Sequence, residues 1–300
     1  MGSTEWLMLI ALSILWGGSF FFAEVAVREL PPLTIVTLRV GIAALALVGL
    51  AWITRRALPR APAAWFALGV MGLLNNVIPF SLIVWGQTHI PSGLASILNA
   101  TTPIFTLLVA GWLLVDERIT AMKVVGAVVG FIGVAVMFSP SLDRGWPPHA
   151  VAQLAILGAA ISYAFAGAFG RRFPRMGIDP MIAATGQLCA STVLLLPLCA
   201  AIERPWTLPM PSPQAIGSVI GLALLSTAIA YLLYFRILAR AGATNLLLVT
   251  LLIPVSAIGL GVGLLDETLS VTDWLGLFAI GIGLLVIDGR LFRKRTGGVR

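Results

Sequence analysis

Uncharged apolar runs of about twenty residues recur along the whole chain, and this feature leaves few folds open. One run extends from Ser92 to Val115 without a charge. Each is long enough to cross a bilayer as a helix. In hydrocarbon every backbone N–H and C=O must be satisfied internally, so only helices and closed barrels span it. A barrel would read as short alternating segments, whereas these runs are continuous. Composition agrees. Only 10% of residues are charged and 59% are hydrophobic, with a mean hydropathy of +1.02. A soluble domain carries roughly 25% charged residues, so this chain lacks the polar surface to cover a water-soluble globule. The fold class is an all-α polytopic membrane protein.

Ten spans are predicted, at 6–26, 33–53, 64–84, 92–115, 122–138, 150–170, 180–202, 214–236, 243–265 and 272–289. Breaker-rich loops such as "HIPSG", "RRFPRMGIDP" and "ERPWTLPMPSP" separate them. With a cytoplasmic N-terminus, the inner loops hold Arg55, Arg56, Arg60, Arg118, Lys123, Arg171, Arg172, Arg175, Arg236 and Arg240, and the tail adds more. The outer loops hold only Arg28, Arg144 and Arg204. This asymmetry predicts both termini inside. It also accounts for the net charge of +7 through anionic inner-leaflet lipid, with no nucleic-acid partner. "MGSTEW" lacks the basic start of a cleavable signal. Cys189 and Cys199 lie about 15 Å apart on one helix and read as packing residues.

The chain holds a weak copy of itself. "LVDERITAMKVVGAVVGFIGVAVM" aligns with "LLDETLSVTDWLGLFAIGIGLLVI". Asp116-Glu117 meets Asp266-Glu267, Gly126 meets Gly276 and Gly133 meets Gly283; further back, Pro103 meets Pro254 and Pro32 meets Pro180. Five spans per half is odd, so the second half enters from the opposite side. The expectation is an inverted repeat: residues 1–145, residues 146–290, and a basic tail at 291–300. Chance likeness between apolar helices is the bland alternative.

Polar residues cluster where helices should break. Pro103, within "NATTPIF", removes one N–H and frees the carbonyl of Asn99; Pro254 does the same to Thr250. Asn99 and Thr250 correspond across the halves. Span 3 carries Asn75 and Asn76 where span 8 carries Ser226 and Thr227, and Phe80 meets Tyr231. Asn76, Pro79 and Phe80 share a helical face, as do Thr227, Tyr231 and Tyr234. Two readings of Asn75, Asn76, Asn99, Thr101 and Thr102 stand: hydrogen-bonding glue between helices, or the lining of a wet cavity. Trp16 lies near the centre of span 1, and Tyr163 is its counterpart; both suit a pocket for a flat or apolar ligand, with plain packing as the other reading. Tyr234 reads as an interfacial anchor.

Arg39 is the one charged side chain well inside a span, roughly 10 Å below its outer edge. It must face the bundle, snorkel, or hold carbonyls or a ligand carboxylate. Its counterpart is Gln187. No acid lies at mid-depth, which favours facilitated movement over a carboxylate proton relay. Each Asp-Glu pair is expected to cap the next helix, and the glycines of spans 5 and 10 to permit close packing at the bundle edge or a dimer face. No cofactor or metal is predicted. His89 and His149 both fall in outer loops, which argues against an intramembrane enzyme.

"LSILWGGSFFFAEVAVRELPPLTIVTLRVGIAAL", "NATTPIFTLLVAGWLLVDERIT" and "LLIPVSAIGLGVGLLDETLSVTDWLGLFAIGIGLLVI" resemble the EamA-type drug/metabolite transporter superfamily. The resemblance covers nearly all residues and is nearest to bacterial YddG-type exporters of aromatic and other amino acids. It implies ten spans, a central cavity formed by spans 1–4 and 6–9, spans 5 and 10 at the periphery, and export across the inner membrane. It places Trp16, Asn76, Asn99, Tyr163, Tyr231 and Pro254 around that cavity. The expected partners are a small solute and lipid, with a monomer favoured over a dimer. Drug or toxic-metabolite export is the alternative substrate class, and a passive channel is a further rival.

Overall fold

The computed structural model describes residues 2–113, 120–142, 148–246 and 248–288. Among them every regular element is helical. In chain order these are α1 (Ser3–Ala26), α2 (Pro32–Ile53), α3 (Pro62–Gly72), α4 (Ile78–Gln87), α5 (Ser92–Asn99), α6 (Thr102–Leu113), α7 (Ala121–Leu142), α8 (Pro148–Gly170), the short α9 (Arg172–Arg175), α10 (Pro180–Ile202), α11 (Pro213–Ala223), α12 (Ala230–Leu246), α13 (Val249–Leu265) and α14 (Val271–Asp288). Nine stretches among the described residues are long and apolar enough to cross a membrane, and Val249–Leu265 is a shorter tenth. The predicted spans and the observed helices coincide within a few residues except at the junction of spans 8 and 9, where α12 runs past the predicted end at 236 and overlaps the predicted start at 243. Cys189 and Cys199 are both free thiols.

Several helices start on proline: Pro32, Pro62, Pro180 and Pro213. The missing N–H is harmless in a first turn, whose donors have no partner inside the helix. Asp179 caps α10 by accepting from Met181 N at 2.9 Å, and Ser212 caps α11 by accepting from Ala215 N at 3.2 Å.

Two long helices contain π turns at matching places. Leu73–Val77 joins α3 to α4, and Leu224–Ile229 joins α11 to α12. A π turn inserts one extra residue and re-aims the side chains beside it. Span 4 breaks after Asn99, and α6 resumes at Thr102 with Pro103 in its first turn. The second half departs from expectation here. α13 runs unbroken through Pro254. Thr250 lies four residues earlier, in the first turn of α13, and its carbonyl is the one that Pro254, having no N–H, cannot bond. Gly242, whose φ of 78° is left-handed, does not correspond to that break: it marks a turn inside α12, between the predicted spans 8 and 9.

In the bundle α1 packs on α13, α2 on α10, α8 on α4, α5 and α6, and α1 on α11 and α12. α7 and α14 form a pair of their own. That pair uses the expected glycines. A Cβ on Gly126 would lie 2.6 Å from Gly283 O, and one on Gly133 would lie 2.8 Å from Gly276 O.

The Asp-Glu expectation is corrected. Asp116 and Glu117 lie outside the described residues, as do tail residues 291–300. Glu267 does not cap α14. It accepts from Ser92 N at 2.9 Å and Gly93 N at 3.0 Å, capping α5 far away in sequence. The start of α14 is served instead by Ser270 and Asp273, which exchange backbone-to-side-chain bonds of 2.8 and 3.3 Å. Asp266 takes a left-handed turn, with φ of 55°, and this swings Glu267 away from the helix that follows.

Two more carboxylates act likewise at that end. Glu203 accepts from Leu33 N, Thr34 N and Thr34 Oγ1. Glu29 accepts from Ser212 N at 2.6 Å and from its hydroxyl at 2.5 Å. These two bonds hold the exposed Glu29 carboxyl below the usual carboxylate range. A carboxylate whose pKa is depressed by folding stabilises the fold above its unfolded pKa, and that gain is lost as pH falls through the folded value. The difference in thermal midpoint between wild type and Glu29→Gln is therefore expected at pH 7 and should vanish below the lowered pKa. A difference that stays equal as the pH is taken down through the titration of this carboxyl would rule this out.

Candidate functional site

The π turn of span 3 points Asn75 and Asn76 into the bundle, where Asn76 is fully buried. Asn75 Nδ2 donates to Tyr231 Oη at 3.0 Å and to Gln187 Oε1 at 3.3 Å. Tyr231 in turn donates its hydroxyl to Asn76 Oδ1 at 3.3 Å. Asn76 Nδ2 donates to Ser191 Oγ at 3.0 Å, and Ser191 donates to Gln187 O at 2.7 Å. One polar network thus ties span 3 to spans 7 and 8. Sequence pattern alone does not single out Ser191; the available signal is its place four residues after Gln187, on the same helical face.

Arg39 faces the bundle beside this network and is 7% exposed. Its Nε donates to Thr227 Oγ1 at 3.0 Å. Its guanidinium carbon sits 3.6 Å from the centroid of the Phe80 ring, a cation–π contact. Thr227 donates to Leu222 O at 2.9 Å, a carbonyl exposed by the second π turn. The first π turn thus bonds Tyr231 through Asn75 and Asn76, and the second holds Arg39 through Thr227. Pro79, buried beside Phe80, sits in the first turn of α4. Tyr163 packs against both large apolar clusters of the bundle, and it and Tyr231 are the electrostatic neighbours of Arg39.

An aromatic row leads away from Tyr231. Tyr231 and Phe235 stack at 6.2 Å with 14° between planes. Phe235 meets Tyr234 edge-on at 5.2 Å, and Tyr234 meets Trp16 at 5.6 Å. Tyr234, expected to be an interfacial anchor, packs inside this row instead.

The span 4 break is built differently. The Asn99 carbonyl accepts from Thr102 Oγ1 at 2.7 Å, and Thr101 bonds Leu98 O at 2.6 Å. Threonine hydroxyls thus satisfy the carbonyls at the break. The side-chain oxygen of Asn99 is buried without a partner among the described residues. Among the described residues, Thr102 and Thr106 bond along their own chain segment. Thr250 and Pro103 are half-buried, and Pro254 is buried within α13. The structure therefore joins Asn76, Phe80, Arg39, Thr227 and Tyr231 in one contact set. Trp16 is linked to it through aromatic rings, and the Asn99 break forms a second feature. Among the described residues no three His, Cys, Asp or Glu side chains converge as a metal would require.

A groove of about 590 Å³ opens elsewhere, between the start of α2, the end of α10 and residues 205–211. Leu30, Thr37, Leu196, Trp206 and Met210 line it, and none of the predicted site residues does.

The sequence profile of the EamA-like transporter family matches this chain twice, over residues 4–139 and 150–288. The inner membrane transporter YedA of Escherichia coli K12 is 29% identical over 281 residues, covering 93% of this chain and 89% of its own length. The transporter YoaV of Bacillus subtilis is 26% identical over 293 residues, covering 96% and 98%. Protein PagO of Salmonella typhimurium is 24% identical over 281 residues, covering 93% and 91%. A solved crystal structure superposes with a TM-score of 0.67 at 20% identity, covering 98% of this chain and 100% of that one. At that identity the likeness speaks to the fold alone. With both halves matched by one profile and full-length relatives named as transporters, the chain belongs to the EamA-like transporter family and is a multi-pass membrane transporter.

Proposed function

We propose that this transporter exports amino acids, aromatic and other neutral ones, across a bacterial inner membrane by alternating access. The moving parts are two inverted five-helix repeats, residues 1–145 and 146–290, with both termini in the cytoplasm. The solute site is the wall built by Trp16, Asn76, Phe80, Tyr163, Thr227 and Tyr231. Asn99, Thr102 and Thr250 contribute from the interrupted fourth span and its counterpart.

The observation that carries this proposal is the meeting of two π turns, one per half, at one polar and aromatic wall. Helix packing supports the repeat. Span 1 pairs with span 9 as span 6 pairs with span 4, and span 2 pairs with span 7 as span 5 does with span 10. Such exchange is what a two-fold relation between halves produces. Aromatic faces with amide and hydroxyl groups suit a solute with a flat apolar part and a polar end. An amphipathic drug or toxic metabolite fits the same wall less selectively and is the second substrate class.

Flux from proteoliposomes preloaded with an amino-acid panel tests the proposal. Saturable, trans-stimulated efflux of phenylalanine is expected; linear, unsaturable efflux would indicate a channel. Tyr231→Ala and Asn99→Ala should each lower phenylalanine flux about tenfold, as loss of roughly 1.4 kcal/mol predicts, with folded protein retained. Normal flux in both would remove these residues from the solute path. Downhill flux should persist when the proton gradient is collapsed, because no Asp or Glu falls near the middle of a predicted span; a complete stop would show proton coupling.

A further inference from the structure

Arg39 has more hydrogen-bonding capacity than its surroundings use. A guanidinium carries five N–H donors in a planar fork and stays charged in proteins. Here Nε is taken by Thr227. No acceptor among the described residues takes an N–H from the two terminal amino groups. No carboxylate among the described residues pairs with this side chain either. The ion pairs Arg56 with Asp179 and Arg240 with Glu5 involve other arginines.

A buried cation without a counter-charge is expensive. One hydroxyl and the face of Phe80 offset only part of that cost. They do something further: they fix the fork. The Nε bond sets its direction and the Phe80 ring sets its plane, so the terminal edge is held in one orientation. A fixed guanidinium edge matches the two oxygens of a carboxylate. The apolar, aromatic surroundings would strengthen such a pair relative to water. The charge has no counterpart in the second half, where Gln187 fills the equivalent place and already accepts from Asn75.

We infer that Arg39 is an anion anchor in the solute site, and that the solute carries a carboxylate bound by the guanidinium edge. The inference deepens the transport proposal and rests on it for the solute's path, but anion binding can be measured without transport. Tyr231 and Phe80 then face the apolar part of the same solute, with the carboxylate toward α2.

The probes are 3-phenylpropionate and its neutral amide, titrated against purified full-length protein and followed by tryptophan fluorescence or calorimetry. Wild type should bind the carboxylate at least about tenfold more tightly than the amide, the scale of one charge-assisted pair. Arg39→Gln should bring that ratio close to one. Arg39→Lys should keep part of it, as a point charge without the fork. Thr227→Val leaves the cation but frees Nε, and should weaken carboxylate binding by a smaller factor. Size-exclusion profile and thermal midpoint report folding; if Arg39→Gln does not fold, the Lys and Val variants carry the test. Equal affinities in wild type, binding of neither probe, or a ratio unchanged in the variants would overturn the inference. A flux arm separates it from the transport proposal. Carboxylate preference without phenylalanine efflux would sink the amino-acid reading alone. Efflux of phenylalaninamide as fast as phenylalanine would sink the anion anchor alone.

Discussion

Gly283→Val is expected to lower the thermal midpoint by about 5–10 °C and to cut the yield of folded protein. A Cβ at Gly283 would lie 2.5 Å from Gly126 O and 2.8 Å from Gly130 N. Both are backbone atoms and cannot swing aside, so α7 and α14 must separate along the seam. Overpacking a tight contact costs about 1–3 kcal/mol, and an enforced backbone separation lies at or above the top of that range. For a chain of this size each kcal/mol shifts the midpoint by roughly 2–4 °C. In lipid the loss is not softened, because helix association depends on close van der Waals packing. Gly281→Val is the control: a Cβ there meets nothing within 4 Å. Thermal unfolding in detergent, with both variants side by side, decides the matter. Matching midpoints would show that the seam does not hold the pair together.

That seam is legible in the sequence itself. Gly126 and Gly133 align with Gly276 and Gly283, and small residues in a lipid-spanning helix have one common physical use, close approach. Span positions are legible for a similar reason, since hydropathy over twenty residues averages away local detail. The two π turns are not. A π turn is one extra residue in a helix, and the "LLNNV" and "LLSTAI" stretches have no proline or glycine to announce it; only their polar residues hint at inward-facing groups. That hint is enough to pick out Asn76, Thr227 and Tyr231. Their connection to Gln187 and Ser191 depends on how α10 packs against α3 and the first π turn, which no local pattern encodes. The expected break at Pro254 is not seen: the proline denies the helix the single bond that its N–H would give to the carbonyl of Thr250, and the turns on either side carry α13 through it. Tyr234 departs from expectation because an aromatic near a span end looks the same whether it meets lipid or Trp16.

Removing the carboxylate at Glu203 should destabilise the bundle by about 1–3 kcal/mol, the cost of leaving buried donors unmet. α2 begins at Pro32, so Leu33 and Thr34 carry its first free N–H groups. Glu203 meets both, at 2.9 and 2.6 Å, and takes the Thr34 hydroxyl at 2.8 Å. A negative charge at a helix N-terminus adds favourable interaction with the dipole. Glu203→Gln keeps one oxygen and turns an NH₂ toward an N–H, so one donor loses its partner; Glu203→Ala strips all three. The alanine variant should therefore be the less stable of the two. Glu267 stands in the same relation to Ser92 and Gly93 at the start of α5. The two caps share no partner, so the double variant should lose close to the sum of the singles. A double variant no worse than either single would mean that the caps act through one common element. These carboxylates and Glu29 tie α10 to α2, the α13–α14 turn to α5, and the end of α1 to α11. Each bond joins residues from opposite halves of the chain. Any motion that opens the bundle at this end must break them together, and that is the physical reason to expect Glu203→Ala and Glu267→Ala to alter solute access from that face as well as stability. Reactivity of a Trp16→Cys reporter toward a membrane-impermeant thiol reagent, in a Cys189→Ala/Cys199→Ala background, measures that access. It should rise in either cap variant, and an unchanged rate would leave the caps as supports of the fold alone.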